Sequence, residues 1–286
     1  MIIIIRFSNE RSFMDTQNIK TFLLLAKLKN FTKTAEQLFV AQSTVTNRIA
    51  DLETELGKPL FVRNKRGVTL TPEGITFQKY AKRMIDMERA ALQDIHSIKQ
   101  YGQSIHIGTT NTIYECHLHL YIKEWMMQHP DDAIKITIGH SNELLFALQD
   151  GILDVAYCYT PLHKKGFTCE TFAIDKLILV KRTTDTLYKN GIYKEELAKS
   201  KYLFCNFALQ DVGSFIRELF PPHYQFPFEI DNATKLIPYL LDFGGISFLP
   251  ESLVLPYLQN GALEKISLLD FEAPKICCYK IEKSTL

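Results

Sequence analysis

The chain has 286 residues, of which 46% are hydrophobic and 23% are charged. This length exceeds that of a typical single domain and predicts two or three domains. The composition excludes a disordered, collagen-like or low-complexity protein. The charge is unevenly divided, because residues 1–99 carry a net charge of +6 and residues 100–286 a net charge of −5. A basic N-terminal part favours a polyanionic partner.

Residues 1–13 read as an extension ahead of the first domain. Their run of four isoleucines is too short for a signal-peptide core or a membrane span. Met14 directly precedes a well-formed helix start. We therefore expect residues 1–13 to be an upstream extension or a disordered tail, and we expect a cytoplasmic protein.

The six cysteines are scattered and lack the paired spacing of a zinc site. Most lie in apolar stretches, which is typical of reduced, buried cysteines that pack as small hydrophobic side chains. The sequence therefore predicts neither a metal site nor a redox pair. The cysteines are Cys116, Cys158, Cys169, Cys205, Cys277 and Cys278.

Three short helices are predicted between residues 15 and 57. The first covers residues 15–30, begins at Asp15 or Thr16 and stops at Asn30. The second covers residues 31–40 with Thr32 as its cap. The third covers residues 41–57, with Ser43 as its cap and Gly57 as its stop.

An extended segment follows the third helix. It predicts strands at Phe61–Arg63 and Val68–Leu70, joined by a tip at Arg66 and Gly67. Three short helices followed by such a hairpin match a winged helix-turn-helix.

The third helix has an unusual polar face. Val45, Ile49, Leu52 and Leu56 form an apolar stripe. The rest of its first two turns is Gln42, Ser43, Thr44, Thr46, Asn47 and Arg48. Such short or planar hydrogen-bonding groups suit base edges and phosphates in the major groove. A solvated polar face is the alternative.

Further DNA contacts are predicted around this helix. Thr32 and Lys33 open the preceding helix, where a phosphate would be favoured. The wing supplies three basic residues for backbone or minor-groove contacts. These are Arg63, Lys65 and Arg66.

A long helix is predicted from Thr71 to about Lys99. Its apolar positions approximate a heptad-like stripe, for which we expect a partner helix in a dimer, packing on its own domain being the alternative. The stripe comprises Ile75, Tyr80, Met84, Met87, Ala91, Ile95 and Ile98.

From residue 100 onward, strands and helices alternate, which predicts a parallel α/β sheet in two sets. Strands are expected at 104–110, 133–140, 153–159, 201–207, 226–231 and 246–250. Residues 167–182 are read as two strands. The tail predicts one or two strands that return to the first set, giving two lobes in a hinged clamshell.

The chain closely resembles LysR-type transcriptional regulators from Met14 onward. The N-terminal resemblance rests on NFTKTAEQLFVAQSTVTNRIADLETELGKPLFVR, followed by VTLTPEG. DGILDVAY and GGISFLP are weaker marks in the second half. Thr46 stands where the family more often has Ser, and the chain ends soon after KICCYKIEK, where many members have a further helix.

The resemblance implies an α+β multi-domain protein. A winged helix-turn-helix (14–71) and a linker and dimerisation helix (72–99) would precede a two-lobe, periplasmic-binding-protein-like effector domain (100–286). Lobe I would comprise about 100–160 plus 262–286, and lobe II about 161–261. The implied partners are double-stranded DNA with a two-fold operator, further copies of the chain as a homodimer or tetramer, and RNA polymerase.

A small-molecule site is predicted where parallel strands end, since ligands bind outside the carboxyl ends of such strands. Thr109, Thr110 and Asn111 precede a helix N-terminus, which favours an anionic effector. His140, Ser141, Asn206 and Phe207 follow other strands. Helix capping is the alternative role for Thr110 and Ser141. No cofactor is expected.

Two other functions were weighed. An enzyme built on the α/β half is disfavoured, because no catalytic arrangement of residues stands out. An architectural DNA binder with a vestigial sensor would show no ligand-dependent change in DNA affinity or bending. The sequence identifies neither the effector nor the operator.

Overall fold

The computed structural model describes residues 15–64, 67–96, 102–206 and 210–284. The chain divides into two compact units, at residues 1–98 and 99–286. The predicted extension at 1–13, Lys65, Arg66, Ile98 and Phe207 lie outside the described residues. Within the described ranges, no helix combines the length and apolar character needed to cross a membrane.

The first unit contains four helices and a hairpin. Its elements are α1 (Thr16–Leu28), α2 (Phe31–Leu38), α3 (Gln42–Leu56), β1 (Phe61–Asn64), β2 (Gly67–Leu70) and α4 (Pro72–His96). The two strands pair antiparallel, with Phe61 opposite Leu70. This is the predicted winged helix-turn-helix followed by a long helix.

The helix starts differ from the prediction at two of the three short helices. The Asn30 side chain, predicted to stop α1, instead caps α2 by accepting a hydrogen bond from the Lys33 N–H, so Thr32 is not the cap. Helix α3 begins at Gln42 after an extended Ala41, one residue before the predicted Ser43 cap. Asp15 does cap α1, and Gly57 ends α3 with φ +64°.

Helix α4 has two apolar faces, of which the sequence pattern picked out one. Phe77, Ala81 and Ile85 are buried in the core of the first unit, where Phe77 lies 4.9 Å from the Phe22 ring. The predicted stripe is exposed, with Ile75 and Ile95 at 53% and 76% exposure. The helix therefore packs on its own domain and still leaves an apolar face uncovered.

The second unit is built on a seven-stranded sheet and a separate two-stranded sheet. Its strands are β3 (Ser104–Thr109), β4 (Ala133–Ile138), β5 (Val155–Cys158), β6 (Phe167–Arg182), β7 (Leu203–Cys205), β8 (Phe228–Ile230), β9 (Ile246–Pro250), β10 (Leu263–Ile266) and β11 (Lys275–Lys283). Strand β3 pairs parallel with β4 and β5, and β7 pairs parallel with β8.

Helices cover these sheets. They are α5 (Asn111–Ile113), α6 (His119–Gln128), α7 (Ser141–Gln149), α8 (Lys194–Leu197), α9 (Gln210–Glu218), α10 (Ala233–Phe243) and α11 (Glu251–Gln259). A π-helical turn, Tyr114–Leu118, joins α5 to α6. Helices α8 and α11 were not predicted. Pro256 lies within α11, although proline is rare in helix interiors.

Strand β6 crosses from one lobe to the other. The prediction of two strands at 167–182 was wrong, because no Gly or Pro interrupts this segment and it forms one strand of 16 residues. Residues 167–176 pair with β11, whereas 177–182 pair with β9 and β10. The tail therefore returns to the first lobe through β11 alone, and β10 lies with the strands of the second.

Candidate nucleic-acid interface and effector cleft

The first two turns of α3 present the predicted polar face. Val45, Ile49 and Leu52 are buried in the core, which fixes the rotation of the helix. Gln42, Ser43 and Asn47 are exposed, and Thr44, Thr46 and Arg48 are partly exposed.

Several of these side chains already have protein partners. The Thr32 hydroxyl donates to Gln42 Oε1 at 3.3 Å and so joins the starts of α2 and α3. The Thr46 hydroxyl donates to the Gln42 carbonyl at 3.1 Å. Arg48 donates to the Thr21 hydroxyl at 3.1 Å. The exposed Ser43 and Asn47 are therefore better placed than Arg48 for direct contact with bases.

The hairpin is fixed to α3 through Glu53. Its carboxylate accepts hydrogen bonds from the Leu60 and Phe61 N–H groups, at 2.7 and 3.2 Å. Gly74 allows the chain to return beneath β1, since a Cβ there would lie 2.2 Å from the Leu60 carbonyl oxygen. The Arg63 guanidinium stacks 4.1 Å from the centroid of the Phe31 ring. This brings a wing cation next to the start of α2, where Thr32 and Lys33 are exposed.

A cavity of about 240 Å³ lies between the two lobes of the second unit. The starts of three helices line it: Thr110 and Asn111 at α5, His140 and Ser141 at α7, and Asn232 and Ala233 at α10. Thr112, Ile138, Gly139, Tyr159 and Asp231 complete the lining. The first N–H groups of a helix lack intrahelical acceptors and carry partial positive charge, so such a cavity favours an anion.

Four of the seven predicted effector residues line this cavity, namely Thr110, Asn111, His140 and Ser141. Thr109 is fully buried and its hydroxyl donates to the Thr110 carbonyl. Asn206 is exposed beyond β7, and its N–H donates to the Ile230 carbonyl rather than lining the cavity. A role in binding stays a prediction for all seven.

Hydrogen bonds organise the cavity wall. Thr110 caps α5, and the Ser141 hydroxyl accepts from the Tyr159 N–H at 3.4 Å. Asn111 donates to the Thr234 hydroxyl at 3.0 Å, which joins the first lobe to the second. Capping and ligand contact are therefore compatible roles for Thr110.

The sequence reasoning missed Asp231 and Asn232, which follow β8. The rule that picked out the ends of β3, β4 and β7 applies equally to β8, because β8 runs parallel to β7. It also missed a cluster of Cys116, His117 and Asp175, whose potential ligand atoms lie within 4.8 Å of one another. Two of those residues are adjacent and the third is far along the chain, so spacing alone could not reveal the cluster.

Both units match known protein families. The bacterial regulatory helix-turn-helix protein, lysR family, matches residues 16–75, and the LysR substrate binding domain matches residues 99–279. The second match alone spans more than half of the chain, which therefore belongs to the LysR family of transcriptional regulators.

Known transcriptional regulators align with this chain over most of its length. The chain is 26% identical to the HTH-type transcriptional regulator CitR of Bacillus subtilis over 274 residues, covering 94% of this chain and 93% of CitR. It is 31% identical over 203 residues to an uncharacterized HTH-type transcriptional regulator of Methanocaldococcus jannaschii, covering 70% and 67%. The crystal structure of CbnR, a LysR family transcriptional regulator, aligns with a TM-score of 0.60 at 18% identity, covering 94% of this chain and 93% of CbnR.

Family membership establishes the general function. The protein is a DNA-binding transcriptional regulator with a domain for small-molecule effectors, and not an enzyme.

Proposed function

We propose that this regulator binds a two-fold operator as a homodimer and that a small anionic effector in the interlobe cavity changes its DNA contact or bending. The observation that carries the effector part is the convergence of the starts of α5, α7 and α10 on one cavity. Nine or more residues of regular helix follow the start of α7 and of α10. Their free N–H groups would hold a carboxylate, sulfate or phosphate group.

The lining narrows the class of effector further. Asp231 opposes a second negative charge near the start of α10 and favours a hydrogen-bond donor there. A cavity of about 240 Å³ suits a small metabolite. We infer an effector with one anionic group near Thr110 and Ser141 and a donor group toward Asp231.

On the DNA side, α3 would enter the major groove with its N-terminal turns toward the bases. Ser43, Asn47 and Gln42 are the proposed base readers, while Thr44, Thr46 and Arg48 would contact the backbone or hold the helix in register. Thr32 and Lys33 at the start of α2, and Arg63, Lys65 and Arg66 in the wing, would contact phosphates or the minor groove.

The exposed apolar face of α4 supports dimerisation. A second copy of the same helix would bury this face and remove its apolar surface from water. The exposed apolar side chains are Ile75, Tyr80, Met84, Met87 and Ile95. Two reading helices would then contact half-sites separated by about one helical turn of DNA or a multiple of it. From the family resemblance we also propose that dimers pair into a tetramer, that the DNA-bound protein contacts RNA polymerase, and that the protein is cytoplasmic.

The mechanism we infer is a population shift between lobe closures. Asn111 and Thr234 join the lobes at the cavity, and β6 runs from one lobe to the other. An effector that contacts both the α5 and α10 starts would bind one closure better than another. Such differential affinity is what a ligand needs to shift an equilibrium.

The experiment is footprinting of the full-length protein on the region upstream of its own gene, with and without a panel of small carboxylates, sulfate and phosphate esters, and neutral and cationic metabolites. We expect a two-fold protected site whose length or bend changes with one panel member. Protection that no anion alters, together with a change caused by a neutral or cationic metabolite, would overturn the anionic assignment. Identical footprints with every compound would overturn the sensor mechanism and favour an architectural DNA binder.

A further inference from the structure

A second site lies apart from the effector cavity, at the point where the chain crosses between the lobes. Cys116 and His117 are consecutive residues of the π-helical turn, and Asp175 lies on β6. Their sulfur, nitrogen and oxygen ligand atoms all lie within 4.8 Å of one another. None of the three lines the effector cavity.

We propose that Cys116, His117 and Asp175 form a binding site for a borderline-soft divalent metal ion, with Zn²⁺ as the representative ion. A thiolate, an imidazole and a carboxylate are the three ligand types that Zn²⁺ takes in proteins. The same mixture disfavours Mg²⁺ and Ca²⁺, which select oxygen ligands.

The distances suit a tetrahedral ion. With metal–ligand bonds of about 2.0–2.3 Å, neighbouring ligand atoms stand about 3.3–3.8 Å apart. His117 Nε2 lies 3.5 Å from Asp175 Oδ2. The Cys116 sulfur lies within 4.8 Å of both atoms, so a side-chain rotation would have to bring it into the same range. A water molecule or the Ser252 hydroxyl would take the fourth position.

The residues around Asp175 orient it as a ligand. Its Oδ1 accepts hydrogen bonds from the Lys176 N–H at 2.8 Å and from the Ser252 N–H at 3.3 Å. Its Oδ2 faces His117 and the Ser252 hydroxyl. One carboxylate oxygen is thus fixed by the backbone while the other is directed toward the cluster. Such outer contacts are what hold metal ligands in position.

The two acidic ligands differ in protonation, because burial raises the pKa of the Cys116 thiol to about 12 and so keeps it protonated until a metal ion binds. Burial alone would raise the pKa of Asp175, but hydrogen bonds from His117 and Ser252 outweigh it and hold the pKa below its ordinary value. Asp175 is therefore an anionic ligand at neutral pH. Zn²⁺ would displace the proton of the Cys116 thiol to solvent as the Zn–S bond forms, and His117 would donate a ring-nitrogen lone pair.

An ion at this place would be in contact with both lobes. Cys116 comes from the first lobe, yet it packs against the hydrophobic core of the second. Ser252 donates a hydrogen bond to Asp175 Oδ2, the same oxygen that His117 faces, and belongs to α11 of the second lobe. Asp175 itself lies next to the residue where β6 exchanges β11 for β9. The side chains of Cys116 and His117 are partly exposed, which leaves the ion a path from solvent.

The test uses the full-length protein stripped of metal and titrated with Co²⁺, a spectroscopic substitute for Zn²⁺. We expect one Co²⁺ per chain with tetrahedral ligand-field bands and a sulfur-to-cobalt charge-transfer band. Cys116→Ser should abolish the charge-transfer band. Cys116→Ser and His117→Gln should each weaken Zn²⁺ binding by about tenfold or more, measured by competition with a chromophoric chelator. Cys169→Ser, which changes another half-buried cysteine, should alter neither property.

A titration without a charge-transfer band would overturn the proposal, as would a band that survives Cys116→Ser. If Cys116→Ser fails to fold, the test moves to His117→Gln, in which the Co²⁺ affinity should still fall by about tenfold or more. A Co²⁺ affinity that is unchanged in His117→Gln would then reject the site. These measurements need no DNA or effector, so their outcome is independent of the proposed sensing mechanism.

Discussion

Arg48 of α3 donates a hydrogen bond from Nη1 to the Thr21 hydroxyl of α1 at 3.1 Å, and Thr21 in turn donates to the Gln17 carbonyl at 2.7 Å. This chain of bonds ties the middle of the proposed reading helix to the first helix. Asn47, the preceding residue, is exposed. Two neighbours on one helix therefore have different environments and should have different roles.

We predict that Asn47→Ala weakens binding to the operator by about 1–3 kcal/mol and leaves binding to a scrambled duplex nearly unchanged. Arg48→Ala should weaken both complexes, because it removes a cation and loosens the contact between α1 and α3. Thr21→Val should reproduce the loosening without the charge loss. Fluorescence anisotropy at fixed salt checks all three. Selective loss of operator binding in Arg48→Ala, with Asn47→Ala silent, would reverse the two roles.

Glu53 provides a stability prediction for the first unit. Glu53→Ala leaves the Leu60 and Phe61 N–H groups without their carboxylate acceptor, and Leu60 is buried. We expect the free energy of unfolding to fall by about 1–3 kcal/mol in urea denaturation followed by circular dichroism. Glu36→Ala, at an exposed position of α2, is the matched control. Equal effects of the two substitutions would show that Glu53 does not hold the hairpin.

Much of the first unit could be predicted from sequence, because its signals are local. Helical periodicity placed Val45, Ile49 and Leu52 in the core, and Gly57 marked the end of α3. The caps were harder to assign. Asn30 was read as the end of α1, but it is the start of α2, since a two-residue connection lets one polar side chain serve either helix.

Features that depend on distant residues could not be predicted. The pairing of β10 with the second half of β6 depends on where the chain returns, not on local pattern. Lys181 is buried beside Glu264 and the Asp185 carbonyl, although lysines are seldom fully buried. The cluster of Cys116, His117 and Asp175 likewise exists only once β6 passes the π-helical turn.

Asp231 tests the donor group of the proposed effector. Asp231→Asn should weaken binding by about two- to fivefold, because an amide oxygen accepts a hydrogen bond less strongly than an exposed carboxylate does. Isothermal titration calorimetry with the metabolite identified by footprinting measures this change. His140→Ala should weaken binding because His140 lines the cavity, whereas the exposed His163 lies outside it and serves as the control. Tighter binding to Asp231→Asn would instead show that the carboxylate only repels the anion and that no donor group of the effector faces it.

The buried cysteines should be chemically inert in the native protein. Burial raises the pKa of Cys158 and of Cys205 to about 12, so at pH 7.5 only about one thiol in 3 × 10⁴ is ionised. We expect iodoacetamide to leave both unmodified over hours in the native state and to label all six cysteines in guanidinium. Mass spectrometry of the labelled peptides checks this. Rapid native labelling of Cys158 would reveal local opening around β5.

The uncovered face of α4 provides the last prediction. A glutamate on an apolar helix face is tolerated in a monomer but strongly disfavoured where that face is buried against a second copy. Met87→Glu should therefore convert the protein to monomers in light scattering, since Met87 is 46% exposed at the centre of the stripe. Lys79→Glu makes a larger charge change on an exposed position of the same helix outside the stripe and should leave the dimer intact. Operator affinity should fall when the dimer is lost, because each monomer then binds its half-site independently. A Met87→Glu protein that stays dimeric would move the interface away from α4.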